Sequence, residues 1–172
     1  MGDAEKPPAT SGGTQKNFHG PWASAFSDAY RIASDSEVRE ALADGEITDA
    51  EYNYFVNRIS NCMTDLGLTN VKLKDGEWAY TRPVKTDETA VDKCLQDGGA
   101  RVLLIRDAIA RNPEHLDEDE IMARCLVGQG LVPKSYTAKQ YSRETESENF
   151  SFDFNSAAFE KCNDDPLGLS NE

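Results

Sequence analysis

The sequence predicts a mainly α-helical fold of about five to six helices with one β-hairpin, stapled by two disulfides. Three observations carry that expectation. Apolar residues recur at helical spacing along most of the 172 residues. The period changes to two in one place, around Asp75-Gly76. All four cysteines close one pattern, an apolar residue and then two arbitrary residues before the cysteine: Ile59 to Cys62, Val91 to Cys94, Met122 to Cys125 and Phe159 to Cys162. In the first three cases an apolar residue follows at once, and a glycine comes five positions later, at Gly67, Gly99 and Gly130. A glycine there suits the left-handed cap that ends a helix, so each of these cysteines is expected in a last turn, facing inward.

Taken in order, Pro21 starts a helix whose stripe is Trp22, Phe26, Tyr30 and Ala33. Val38, Ala41 and Leu42 continue it to a stop at Gly45, with Ser34-Asp35-Ser36 as a point where it kinks or splits. Thr48 and Glu51 form a capping box behind the staple residue Ile47, opening a second helix with Tyr52, Phe55, Val56, Ile59, Cys62, Met63 and Leu66 on one face. Residues 71–81 read as a hairpin about the Asp75-Gly76 turn, placing Leu73 opposite Trp78 and Val71 opposite Tyr80. A third helix spans residues 86–96 and a fourth residues 100–111, stopped by Asn112-Pro113. The fourth holds the densest apolar run and is expected to be central. Leu116, Asp117 and Glu120 repeat the staple, cap and box of the second helix, and its ending from Cys62 to Leu68 matches Cys125 to Leu131. This hints at a faint internal duplication. Thr137 and Gln140 cap a short polar helix, Phe150, Phe152 and Phe154 alternate as an extended segment, and Asn155 caps a last helix.

An even set of inward cysteines with no histidine beside them points to disulfides and to an oxidising compartment. Three pairings are open. The sequential one, Cys62 with Cys94 and Cys125 with Cys162, matches the repeated layout; the alternative is four buried free thiols packed as small hydrophobes. The spacing, without a close Cys-x-x-Cys pair, does not suit zinc. Residues 1–19 read as a flexible tether rich in Pro, Ser, Thr and Gly, behind a Met1-Gly2 that looks added to a mature sequence. Residues 20–172 then form one stapled domain, or two similar lobes, 20–112 and 113–172.

A formal net charge of −13 disfavours nucleic acid and anionic lipid as partners. No apolar run reaches the length of a membrane span. Neither His19 nor His115 has the setting of a general base, and no nucleophile elbow, phosphate loop or metalloprotease helix is present, so no catalytic residue, metal or cofactor is assigned. Glu40, Asp44, Gly45, Ile47 and Glu51 occupy places of a calcium-loop template, but Leu42 stands where an oxygen ligand belongs, and a helix stop followed by a cap explains the same residues. Asp117-Glu118-Asp119-Glu120 reads as a solvated helix start. Asn149-Phe150-Ser151 matches the glycosylation acceptor pattern, a short match that is common by chance. Among the aromatics, Trp78 and Tyr80 on the ribbon are the candidate binding residues, with Tyr136, Tyr141, Phe150, Phe152 and Phe154 as further candidates that more readily serve as core.

The stretch from Ala41 to Tyr52, ALADGEITDAEY, followed by Val56, Arg58 and Cys62-Met63, resembles a recurring segment of uncharacterised exported proteins and lipoproteins of high-GC Gram-positive bacteria. The likeness extends to the hairpin, to the second cysteine on the next helix, to Asn112-Pro113 and to Cys125-Leu126. The resemblance implies an envelope-associated, disulfide-containing helical domain and transfers no catalytic residue. The lipid-attachment cysteine of such lipoproteins is absent from this sequence. The expectation is therefore an extracellular or cell-envelope module, tethered through an N-terminal anchor, that binds a protein, glycan or small molecule outside the membrane. A carboxylate-based envelope hydrolase and a calcium-stabilised structural module are its alternatives.

Overall fold

The computed structural model describes residues 16–170 apart from 75 and 84. It is mainly helical, with α1 (Ala23–Ile32), α2 (Ser36–Ala41), α3 (Asp49–Asp65), the strands β1 (Thr69–Lys74) and β2 (Glu77–Thr81), and then α4 (Glu88–Gly98), α5 (Ala100–Arg111), α6 (Glu118–Gly128), α7 (Ala138–Ser147) and α8 (Ala157–Asp164). Eight helices among the described residues exceed the five to six expected. One reason is local: Asp35 accepts hydrogen bonds from the backbone of Glu37 and Val38 and caps a new helix, so the stripe splits at Ser34-Asp35-Ser36, one of the two outcomes expected there.

Pro21 lies in the turn before α1, which begins at Ala23. Thr48 and Glu51 make the reciprocal capping box expected of them. Gly67, Gly99 and Gly130 all have positive φ. At two of these ends the caps are alike: Leu68 N–H donates to Met63 O and Gly67 N–H to Thr64 O, while Leu131 N–H donates to Leu126 O and Gly130 N–H to Val127 O. The last helix starts one residue later than read, because Ser156, not Asn155, accepts from Phe159 N–H. The segment 150–154 forms bends and turns instead of an extended strand, since no neighbouring strand is there to satisfy its backbone.

The ribbon pairs Leu73 with Trp78 as expected, and Lys72 with Ala79. The register then slips between Thr69 and Lys72, and Thr69 pairs with Thr81, so Val71 and Tyr80 do not form a ladder pair. The slip coincides with Asn70 at φ 55°, a bulge that ends the regular ladder. Val71, Leu73, Trp78 and Tyr80 all remain on the face that packs against the helices.

Buried apolar residues form two clusters, one over Phe26–Ile105 and one over Met122–Cys162. The hub of the first is α3, which packs on α4, α5 and β1 and contributes Phe55, Ile59 and Met63. The fourth helix read from the sequence, α5, buries Val102, Leu103 and Ile105 but leaves Leu104 61 % exposed. Four consecutive apolar residues wrap a full turn, and a helix packed on one side leaves one of them outside. The α4–α5 corner sits so close to α3 that a Cβ at Gly98 would lie 2.5 Å from Ile59 Cγ1, and one at Gly99 would overlap the Phe55 ring. Ahead of Gly20, Phe18 stacks on Phe26 at 6.0 Å and meets Tyr30 edge-on, so the packed chain starts within the stretch read as tether. Residues 1–15 of that tether lie outside the described residues.

Both disulfides are present with the sequential pairing: Cys62–Cys94 ties α3 to α4 and Cys125–Cys162 ties α6 to α8, with Cα separations of 5.6 and 5.7 Å. The second cluster has fewer buried residues than the first and depends more on its staple. The double variant Cys125→Ser/Cys162→Ser is expected to lose about 2–4 kcal/mol in denaturant unfolding, with peptide mapping under non-reducing conditions recovering Cys62–Cys94 intact. Gly99→Ala combines positive φ with overlap on Phe55 and is expected to cost about 2 kcal/mol or more in the same measurement.

Candidate functional site

A concavity of about 650 Å³ lies where elements of the two clusters meet. Helical spacing builds two of its walls. Tyr52 and Val56 stand four residues apart on α3, and Asp107 and Arg111 four apart on α5. The turn end of the ribbon adds Leu73 and Gly76, and the end of α8 with the chain beyond it adds Asn163, Asp164, Asp165 and Ser170.

Each wall is held by specific bonds. Arg111 donates from Nε to Asn163 O at 2.7 Å, pairs with Glu118 through Nη1, and reaches Met122 Sδ at 3.4 Å. The end of α8 is therefore fixed to the end of α5. The buried Asn112 locks the adjoining corner: its Nδ2 donates to Leu116 O and Glu118 Oε1, and its Oδ1 accepts from Leu116 N–H, all at 2.9 Å. Its carbonyl accepts from Trp22 Nε1 at 3.0 Å. The segment after α8 closes on Asp165, whose two carboxylate oxygens accept from Leu169 N–H, Ser170 N–H and Ser170 Oγ.

Within the groove Tyr52 Oη donates to Asp107 Oδ2 over a long 3.4 Å. Burial pushes the Asp107 carboxyl above its ordinary value, and the Tyr52 hydrogen bond and the charge of Arg106 only partly counter it. The Tyr52 hydroxyl is raised in turn, first by burial and then by the neighbouring Asp107 charge. Asp165 moves the other way: burial opposes its ionisation, but the hydrogen bonds from Ser170, Leu169 and Gly168 outweigh that and hold its carboxyl low. The groove thus combines an apolar strip of Val56, Leu73 and the Tyr52 ring with carboxylates in contrasting environments.

The ribbon aromatics Trp78 and Tyr80 lie outside the lining of this groove. Trp78 and Tyr80 are half-buried and pack on the first cluster, and Trp78 faces the groove residue Leu73 across the ladder. The C-terminal aromatics chiefly build the second cluster, where Tyr136 and Phe152 are buried, while Phe154 stays 51 % exposed. Tyr136 Oη donates to Glu144 at 2.7 Å. His115 is exposed, stacked on Trp22 at 4.1 Å with Nδ1 3.0 Å from Pro21 O. Of the residues on the calcium template, Glu51 turns its carboxylate back onto Thr48 and Asp44 accepts from Glu46 N–H. Among the described residues no group of three or more His, Cys, Asp or Glu side chains is placed to hold a metal ion.

The Tyr52–Asp107 pair was not singled out from the sequence, since 55 positions separate its members. A usable signal was present nonetheless: Asp107, beside Arg106, is an acid within the helix that holds the densest apolar run, between Ile105 and Ile109.

Because the folded-state pKa of Asp107 is raised, the folded chain holds that proton more tightly than the unfolded chain. The associated stability is fully present below the ordinary carboxylate value and is lost as pH rises through the raised one. Asp107→Asn is therefore expected to be more stable than the parent near pH 7, with the difference vanishing at about pH 3, as read by urea unfolding. The exposed Asp164→Asn controls for the loss of one negative charge and should show a smaller effect. No protein family, curated protein or solved structure matches this chain, so the site is read from its chemistry alone.

Proposed function

We propose that this protein is a non-enzymatic binding module of the extracytoplasmic space, and that it takes its ligand in the groove between α3, α5, the ribbon turn and the segment after α8. The observation that carries this reading is the convergence of four chain segments on one concavity whose walls are tied by Arg111, Asn112 and the Cys125–Cys162 staple. Ligand sites are typically preformed hollows of a few hundred Å³ with an apolar lining and a few placed polar groups. The two disulfides support an oxidising address. Trp78, across the ladder from the groove residue Leu73, keeps some exposed surface and would extend the binding face with aromatic area, with Tyr80 on the same face of the ribbon.

The hydrolase alternative has one observation in its favour: Asp107 and Asp165 line the same groove, and their surroundings move their pKa values apart. Yet both oxygens of Asp165 already accept hydrogen bonds from the segment it closes, which ties the carboxylate to a structural task. Binding is the reading the geometry favours.

A fragment library of mixed charge, screened by amide NMR on the whole chain, is expected to shift Tyr52, Val56, Leu73 and Asn163 together, and Val56→Arg should suppress those shifts. Shifts confined to surfaces away from these residues would overturn the groove assignment.

A further inference from the structure

The groove holds a carboxylate, Asp107, that no cation among the described residues pairs directly. Asp107 is half-buried, and among the described residues no cation stands within ion-pair distance of it. Its sequence neighbour Arg106 is turned to Asp49 at 2.9 Å. The one cation of the lining among the described residues, Arg111, is spent on Asn163, Glu118 and Met122. Asp107 has only the long Tyr52 hydroxyl contact. A carboxylate withdrawn from water without a partner is costly, and proteins ordinarily supply one.

Resting on the groove reading, we infer that the ligand is an organic cation, an ammonium or guanidinium on an apolar stem, with Asp107 as its counter-ion. The stem has a place to lie, because Val56, Leu73 and the Tyr52 ring line the same hollow. The tyrosine face also attracts a cation. Asp164 adds an exposed carboxylate at the rim. The chain as a whole carries a formal charge of −13, which steers cations inward and repels anions. A lysine or arginine side chain presented by an extended peptide has this chemistry, and so does a free diamine. A neutral sugar would leave Asp107 as it is, and an anion would meet three carboxylates.

Calorimetric titration of the intact chain with Nα-acetyl-arginine amide, its uncharged citrulline counterpart and Nα-acetyl-glutamate amide tests the inference. The arginine probe is expected to bind at least about tenfold more tightly than the citrulline one, with shifts at Val56 and Leu73 and with affinity falling as salt rises. Asp107→Asn should remove that preference, and Tyr52→Phe should weaken the arginine probe while the fold is retained. Equal binding of the arginine and citrulline probes in the groove would overturn the cation inference and leave the groove reading standing. Absence of arginine binding while neutral or acidic fragments shift the groove amides would do the same. Groove amides that respond to no probe and no fragment would overturn both. The comparison of the three probes needs only the parent chain, so it stands even where a variant misfolds.

Discussion

Arg111 and Asn112, two adjacent residues at the end of α5, hold the two apolar clusters in one arrangement. Asn112 is 0 % exposed, and its side-chain amide is fully used by Leu116 and Glu118. Its backbone carbonyl accepts from both Trp22 and His115. A buried amide is tolerable only when its donors and acceptors are matched, so this corner admits few alternative geometries. Arg111 then carries the constraint across to α6 and α8. The groove exists because these bonds keep α8 and its trailing segment a fixed distance from α3.

Stability is distributed unevenly around that junction. The first cluster has α3 at its centre and a glycine corner that lets α4 and α5 approach closely, so packing supplies most of its cohesion. The second is smaller and includes one polar network, in which the hydrogen bonds Glu144 accepts from Ser151 and Tyr136 outweigh the burial that opposes its ionisation. In both, one cysteine of the bridge is buried and the other only partly so. A covalent link of this sort compensates for a core too small to hold itself.

Electrostatics repeats the same division of labour. Asp35 is held far below the ordinary carboxylate range, foremost by its hydrogen bond from Arg58 and by its role as a helix cap. It is a charge put to structural use. Asp107 is the opposite case, raised by burial that the Tyr52 hydrogen bond and the charge of Arg106 only partly counter. The fold satisfies Asn112 completely and pairs Asp35 with Arg58, yet gives Asp107 only the long Tyr52 contact, and the proposed cation site rests on that contrast.

The sequence by itself determined the helical class, the capping box at Thr48, the hairpin with Leu73 across from Trp78 and the left-handed glycines after the cysteines, and it favoured the sequential disulfides among three open pairings. All of these depend on residues near one another in the chain, or on a repeated short pattern, where local sterics and hydrogen bonding are decisive. Tertiary structure alone decided which helix became the hub, since the apolar run of α5 is indifferent to the side it buries and the glycine corner selects α3. It also broke the expected Val71–Tyr80 pairing through the bulge at Asn70, and it brought Tyr52, Asp107 and Asn163 to one groove. Those outcomes rest on contacts between residues tens of positions apart, whose energies come from packing and desolvation that no local pattern encodes.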